Sequence, residues 1–335
     1  MPLSRLLHCI ETTWMAANNP PPDERRQPPF DLKVRAAWLY YVEELTQEQI
    51  ARVMNISRAK VIRLLAAARD GGIVRIRIEA RGSEQIALER KLVAAFGLRD
   101  AIVVPAPADE AEVATVVGHA AGTYLSDQVR DGLSLGVGWG ATLHMSLKAL
   151  STQPFERLSV ISFLGGMTHS RAVNPSAVAR RMADALGADC YQLTAPLVVA
   201  DGAMRAALWA EPGLNELLER ARRVDLALVS VGDVSDEATL FREGLLPRSQ
   251  LSSLRAAGAV GDVLCHFIDA EGRVVDHPAS RRVIAVDLED LRRVPKIVIA
   301  SGGRRKVAAL RAALKAMTVS VLITDEAAAT GLLEM

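Results

Sequence analysis

The sequence predicts an α/β protein in two parts: a small helical N-terminal unit and a larger unit built on a parallel sheet. Three observations carry that expectation. From about residue 100 onward, short β-rich apolar runs alternate with helical stretches, as in a parallel sheet covered by helices. A cap, turn and cap pattern lies between Thr46 and Ser57. Positive charge gathers around that pattern, although the whole chain of 335 residues carries a formal net charge of only +1.

Length and composition set the frame. At roughly 150 residues per domain the chain suits two domains, and its 50% hydrophobic content can fill a sizeable core. No apolar run reaches the ~18 residues of a membrane span, and no signal-peptide pattern opens the chain, so the expectation is a cytoplasmic protein without a membrane partner. Cys9, Cys190 and Cys265 are far apart and form no CxxC pair, so they are read as free thiols, with no metal site or cofactor implied. Residues 1–30 close on Pro20-Pro21-Pro22 and Pro28-Pro29 around a charged stretch, which reads as a flexible leader.

Residues 31–80 read as three helices followed by a short strand. Thr46 with Gln49 forms a capping box: the hydroxyl accepts from a first-turn amide and the glutamine reaches back. That helix runs through Gln47 to about Met54. Asn55-Ile56-Ser57 then makes a tight turn, since Asn tolerates the left-handed conformation and Ser57 caps the next helix. In that helix Val61, Leu64, Leu65 and Ala68 fall on one stripe, facing Ile50, Ala51 and Met54. Arg63 and Ala59 centre the opposite face, flanked by Arg58 and Lys60. From Arg52 to Arg77 there are seven basic residues (Arg52, Arg58, Lys60, Arg63, Arg69, Arg75 and Arg77) against Asp70, a local charge of +6. Gly71-Gly72 ends the helix, and Ile73 to Ile78 alternates apolar and basic side chains as a wing strand would, with Arg75 toward a backbone. Together these features predict a winged helix-turn-helix that binds double-stranded DNA through Thr46, Gln47, Ser57, Arg58, Ala59, Lys60, Arg63 and Arg75. A helical hairpin with a merely solvated charged face is the alternative reading.

The larger unit, residues 81–335, opens with a helix of about Ser83 to Phe96 placed to connect or oligomerise. Strands are expected at Ala101–Val104, Leu133–Val137, Leu158–Phe163, Asp225–Val231, Val263–Ile268, Lys296–Ala300 and Val319–Ile323. Gly136, Gly138 and Gly140 follow a strand and precede a helix of about Ala141 to Leu150, so backbone amides and the Thr142 hydroxyl can converge on an oxyanion or hydroxyl. The spacing matches neither GxGxxG nor a Walker loop, so no nucleotide is inferred. Lys306, with Arg304 and Arg305 beside it, stands about one turn into a helix after Gly302-Gly303, where it points at an anion or is simply solvated.

The segment Thr46 to Ile78, with Gly136-Val137-Gly138-Trp139-Gly140-Ala141-Thr142, resembles the SorC/DeoR-type sugar-responsive regulators. Gly165-Gly166, Val231-Gly232-Asp233, Gly258 to Asp262, and Ser301-Gly302-Gly303 with Lys306 extend the likeness in order over nearly all of the chain after residue 30. The resemblance implies a winged helix-turn-helix joined to an effector domain of the sugar-phosphate isomerase-like type, assembling as dimers or tetramers on paired operator half-sites. It implies a small sugar, sugar phosphate or polyol as effector, and a repressor as the commonest output. It assigns the effector to Gly138, Trp139, Gly140, Ala141, Thr142, Gly165, Gly166, Thr168, His169, Asn174, Arg242, Asp262 and Lys306. Trp139 either stacks on a sugar face or fills the core or a subunit interface. Two positions depart from the family. Leu164 stands where members that capture an aldehyde covalently carry lysine, and Ala141 replaces a second hydroxyl of some phosphate binders. A free polyol and a phosphosugar therefore stay equally open. An isomerase-like enzyme is the competing class, but the chain carries no HExxH, no Ser-His-Asp signature and no clear carboxylate pair.

Overall fold

The computed structural model describes residues 31–74, 83–151, 154–168 and 174–334. The chain separates into two compact units, one ending at Val74 and one beginning at Arg75.

The first unit contains α1 (Leu32–Tyr41), α2 (Gln47–Met54) and α3 (Arg58–Asp70). Their boundaries are set by local chemistry. Thr46 accepts from the Gln49 amide while the Gln49 side chain accepts from the Thr46 amide, so the expected capping box is complete. Asn55 takes the left-handed conformation, φ 52° and ψ 48°, and the Ser57 hydroxyl accepts from the Lys60 amide at 3.2 Å. Ala36, Leu39, Ile50, Val61 and Leu65 form the buried centre. The proposed wing beyond Val74, including Arg75, and the proposed leader lie outside the described residues.

The second unit opens with α4 (Ser83–Phe96), then β1 (Asp100–Val104), α5 (Val113–Gln128), β2 (Ser134–Val137), α6 (Ala141–Ser146), β3 (Ser159–Gly166), α7 (Pro175–Leu186), β4 (Asp189–Pro196), α8 (Gly202–Ala210) and α9 (Pro212–Ala221). It continues with β5 (Leu226–Val229), β6 (Val231–Asp233), α10 (Thr239–Arg242), α11 (Ser249–Ala256), β7 (Gly261–Val263), β8 (His266–Ile268), α12 (Leu288–Leu291), β9 (Ile297–Ala300), α13 (Val307–Ala316), β10 (Val321–Asp325) and α14 (Glu326–Glu334). Seven strands form one sheet in the order β1-β10-β9-β5-β2-β3-β4, and every pairing in it is parallel.

The sheet is buried on both faces, as its apolar strands require. Ala227 and Val229 enter one core while Leu226 and Leu228 enter the other; Ile297 and Ile299 oppose Val298 and Ala300 in the same way. This is the two-residue alternation of a strand with helices on each side.

Three details differ from the sequence expectation. β4 was not expected; it is an edge strand in which polar and apolar residues interleave. The run Asp225 to Val231 is two strands, because β5 stays in the large sheet while β6 leaves it for a small antiparallel sheet with β7 and β8. The run Val263 to Ile268 is a tight hairpin turning at Leu264 and Cys265, not one strand.

Candidate functional site

Adjacent strands β2 and β5 lead in opposite directions across the sheet, β2 toward β3 and β4, β5 toward β9 and β10. The crevice at the C-terminal ends of such a pair is where open parallel sheets bind ligands. A cavity of ≈ 350 Å³ lies there, walled by the segment after β2, the β5–β6 junction, β7 and the loop after β9. That volume is within the range of small-molecule pockets.

The glycines at the end of β2 and in the segment after it have three different causes. Gly136 leaves room for the Phe163 ring, which would collide with any side chain there. Gly138 lets Leu264 approach, at 3.1 Å from where a Cβ would stand. Gly140 has φ 121°, a conformation open to glycine alone, and it turns the chain into α6 so that Trp139, Gly140, Ala141 and Thr142 line the cavity. Gly138 itself is not among the lining residues; its amide donates to the Leu228 carbonyl at 2.9 Å. Trp139 is buried in the core as well as walling the cavity. α6 ends at Ser146 and a 3₁₀ turn, Leu147–Ala149, completes the helical stretch expected to reach Leu150.

Charge enters from three sides. Lys306 sits in a 3₁₀ turn, Arg304–Lys306, ahead of α13, with its Nζ 3.4 Å from the Ser301 hydroxyl. Ser301 in turn donates to the Val231 carbonyl at 3.1 Å. Burial pushes the Lys306 ammonium down, against the pull of Asp233 and Asp262, with Arg305 and Arg242 adding to the fall. Asp262 is 5% exposed, and its Oδ2 accepts from the Cys265 amide at 3.0 Å. Desolvation raises its carboxyl to about 7, opposed by that amide and by Lys306 and reinforced by Asp233. Asp233 is also buried and accepts from the Ser235 amide and hydroxyl at 3.2 and 2.6 Å. At the rim, Arg305 reaches Glu110 at 3.5 Å, and Arg242 is half exposed. The cavity thus offers one lysine against two buried carboxyl groups, with two guanidinium groups outside. Such a set can hold hydroxyl groups through the carboxylates and a negative charge through the cations.

Of the expected contacts, Trp139, Gly140, Ala141, Thr142, Arg242, Asp262 and Lys306 meet in this cavity. Gly165, Gly166, Thr168 and Asn174 are not among its described lining residues. Gly165 and Gly166 are strand residues pressed against the 195–196 backbone and the Ser176 hydroxyl, respectively. Asn174 is spent as a helix cap: its Oδ1 accepts from the Met167 and Ser176 amides and its Nδ2 donates to the Met167 carbonyl. His169 lies outside the described residues. Sequence reasoning missed Glu110, Ser230, Asp233, Glu237, Thr239 and Arg305 as wall residues. Asp233 could have been found, since it ends a glycine-containing triplet already singled out.

In the first unit, Arg58, Ala59, Lys60 and Arg63 are all exposed on α3, opposite the buried Val61, Leu65 and Ala68. Arg63 Nε lies 3.4 Å from the Ala59 carbonyl, so its stem folds back along the helix with the guanidinium at the surface. A cleft lined by Tyr40, Thr46, Gln47 and Arg58 adjoins this face. Among the described residues no helix is long and apolar enough to cross a membrane, and no cluster of His, Cys, Asp and Glu fits a metal ion.

A family model described as "Putative sugar-binding domain" matches residues 81–334. The chain is 32% identical over 303 residues to the deoxyribonucleoside regulator of Bacillus subtilis (strain 168), covering 90% of this chain and 96% of that one. It is 31% identical over 304 residues to the erythritol catabolism regulatory protein EryD of Brucella abortus (strain 2308), again over 90% and 96%. Among solved structures, the full-length sorbitol operon regulator SorC from Klebsiella pneumoniae superposes with a TM-score of 0.67 at 25% identity, over 90% of this chain and 98% of that one. A DeoR family transcriptional regulator from Listeria monocytogenes gives 0.69 at 27%, over 74% and 99%.

Proposed function

Because the chain belongs to the SorC/DeoR-type family of sugar-binding transcriptional regulators, we propose that it represses an operon for carbohydrate or polyol catabolism and is released by a small polyhydroxy effector held in the cavity after β2 and β5. It is a DNA-binding regulator and not a metabolic enzyme, as its relatives' names agree. In this reading α3 enters the major groove of double-stranded operator DNA, Arg63 and Ala59 face base edges, and Arg58, Lys60 and the Thr46–Gln47 end of α2 hold phosphates. A cytoplasmic dimer or tetramer presents two such helices to paired half-sites, and the effector biases one quaternary arrangement over another.

The observation that carries the proposal is the meeting of Asp233, Asp262 and Lys306 in one crevice at the sheet's switch point. Two carboxyl groups suit a ligand rich in hydroxyls, and the adjoining Arg305 and Arg242 suit a terminal phosphate.

The test is a thermal-unfolding screen with erythritol, sorbitol and 2-deoxyribose, each free and as a terminal phosphate, paired with fluorescence anisotropy on DNA from the operon beside the gene. A bound effector at a hundred times its Kd stabilises by about 2.7 kcal/mol. One compound class is expected to raise the unfolding temperature and lower DNA affinity together. A compound that stabilises the protein without touching DNA affinity in either direction counts against the proposal.

A further inference from the structure

The loop Ser301-Gly302-Gly303 that carries Lys306 is clamped from beneath by a carboxylate that does not line the cavity. Asp325, at the end of β10, is wholly buried, and its Oδ1 accepts from the Gly303 amide at 2.6 Å. Gly302 must be glycine because a side chain there would run into the same Oδ1 and into Val113 and Val117 of α5. Gly303 has φ 93°, so both glycines bend the chain closely around this one acid. Among the described residues, no group hydrogen-bonds the other carboxylate oxygen, Oδ2. Burying a carboxylate on so few partners is unfavourable, and an apolar residue would be the cheaper occupant. What the acid uniquely supplies is a charge-assisted hold on the Gly303 amide.

Asp325 is also the residue before α14. Glu326 opens that helix, and its carboxylate accepts from the Gln85 side chain of α4 at 3.5 Å. α14 packs along α4, and Ala328, Ala329 and Leu332 share a core with Leu92 of α4. On its other side α14 meets the residue after Lys306: Gly331 leaves only 2.9 Å between a would-be Cβ and Val307. β1 closes the circuit, since Val104 pairs with Asp325 in register and the Val103 amide donates to the buried Glu89 of α4 at 2.9 Å. The loop is therefore tied to α14 from both of its flanks, through Asp325, which leads into α14, and through Val307, which follows Lys306 and packs on Gly331, while α14 and β1 both pack on α4, the helix that follows the DNA-binding unit in the chain.

We infer that Asp325 is the positioning residue of the Lys306 loop and that α14 carries the loop's position to α4. The inference rests on the cavity's being the effector site, because that is what gives the relay a signal to carry. A close-packed seat of this kind moves as a unit when one side shifts.

Hydrogen–deuterium exchange on the full-length protein, with no small molecule added, tests the relay independently of the effector's identity. Asp325→Asn weakens the hold on Gly303, and Gly331→Ala wedges α14 from Val307 while improving the helix's intrinsic propensity, so the second variant stays informative if the first does not fold. Thr324→Val, beside Asp325 and likewise buried, is the control. Exchange in residues 302–306 is expected to speed by about tenfold in Asp325→Asn, the size of one lost charge-assisted bond. Residues 83–96 are expected to speed by about threefold or more in both variants, with β3 and the Thr324→Val protein unchanged. A loosened loop with α4 unmoved overturns the relay, as does an equal rise in every element. Loss of DNA binding by the wild-type protein, with α4 responding as expected, would sink the proposed function and leave the relay standing.

Discussion

The Cys265 amide donates to the Asp262 carboxylate at 3.0 Å across a two-residue turn in which Leu264 and Cys265 have φ of 51° and 64°. Hairpins of this length favour Asn-Gly at positions with positive φ, because L side chains adopt that conformation at a cost. Here the two places hold a leucine and a cysteine, both buried. Leu264 fills the space left by Gly138, and Cys265 packs into the main core. The turn anchors Asp262, which lines the cavity together with Lys306 and Asp233.

Asp262 makes stability depend on pH. Its carboxyl rises from 3.8 to about 7 in the folded chain, so the folded state favours the protonated form. The contribution is present in full below about pH 4 and is lost as pH climbs through 7. Between pH 5 and 8 the loss from this group is of order 3 kcal/mol. Asp262→Asn removes the titration while keeping an acceptor for the Cys265 amide. Urea denaturation should therefore show the variant gaining on the wild type by a few kcal/mol from pH 5 to pH 8. An unchanging difference would mean that the carboxyl is not displaced.

The turn separates strain from packing. Cys265→Gly relieves a positive φ and loses a small side chain, two effects of about 1 kcal/mol each and opposite sign. Leu264→Gly relieves similar strain but empties a buried leucine site, at about 2 to 4 kcal/mol net. Calorimetry on the pair should show a small change for the first and a large one for the second. Equal losses would argue against strain at the turn.

Gly118 seats α6 on α5. A Cβ there would stand 2.6 Å from both Met145 Cβ and the Thr142 carbonyl, and Gly122 one turn later has no room beneath the Ser146 carbonyl. Gly118→Ala gains helix propensity but pushes against backbone, for a net loss of about 1 to 2 kcal/mol. Thr142 moves with α6, so effector affinity should fall while DNA affinity without effector stays level. Parallel calorimetric and anisotropy titrations read both.

The two units should fail separately. Arg63→Ala is expected to reduce operator affinity by roughly 5- to 150-fold, the range of one lost base contact, with thermal stabilisation by effector intact. Lys306→Met and Thr142→Ala should do the reverse. A variant that folds normally and loses both activities equally contradicts this division.

What the sequence disclosed was mostly local chemistry. Thr46, Gln49, Asn55 and Ser57 act within four residues of themselves, so their roles could be read from spacing, and the structure repeats them bond for bond. The parallel strands were legible where both faces are apolar. β4 was not, because an edge strand with half-exposed residues resembles a loop, and β6, β7 and β8 were not, because three residues are too few to show a period. The cavity divides in the same way. Thr142, Asp262 and Lys306 stand in glycine-marked motifs, whereas Glu110 and Glu237 reach it from segments that only the folded sheet brings together. The polar groups of Asn174 are engaged at the start of its own helix.

The six-residue loop Ser301 to Lys306 lines the cavity through Gly302, Gly303, Arg305 and Lys306 and meets Asp325, immediately before α14, on its other side. Asp262 and the rim residues Glu237 and Arg242 line the same cavity from other segments, away from Asp325. Under the proposed function, altering Asp262, Glu237 or Arg242 would change which polyol is recognised and leave the loop's seat intact, whereas a change at Gly302 or Gly303 would alter recognition and response together. Within one pocket, ligand choice is free to drift along one wall and is bound to the output along the other.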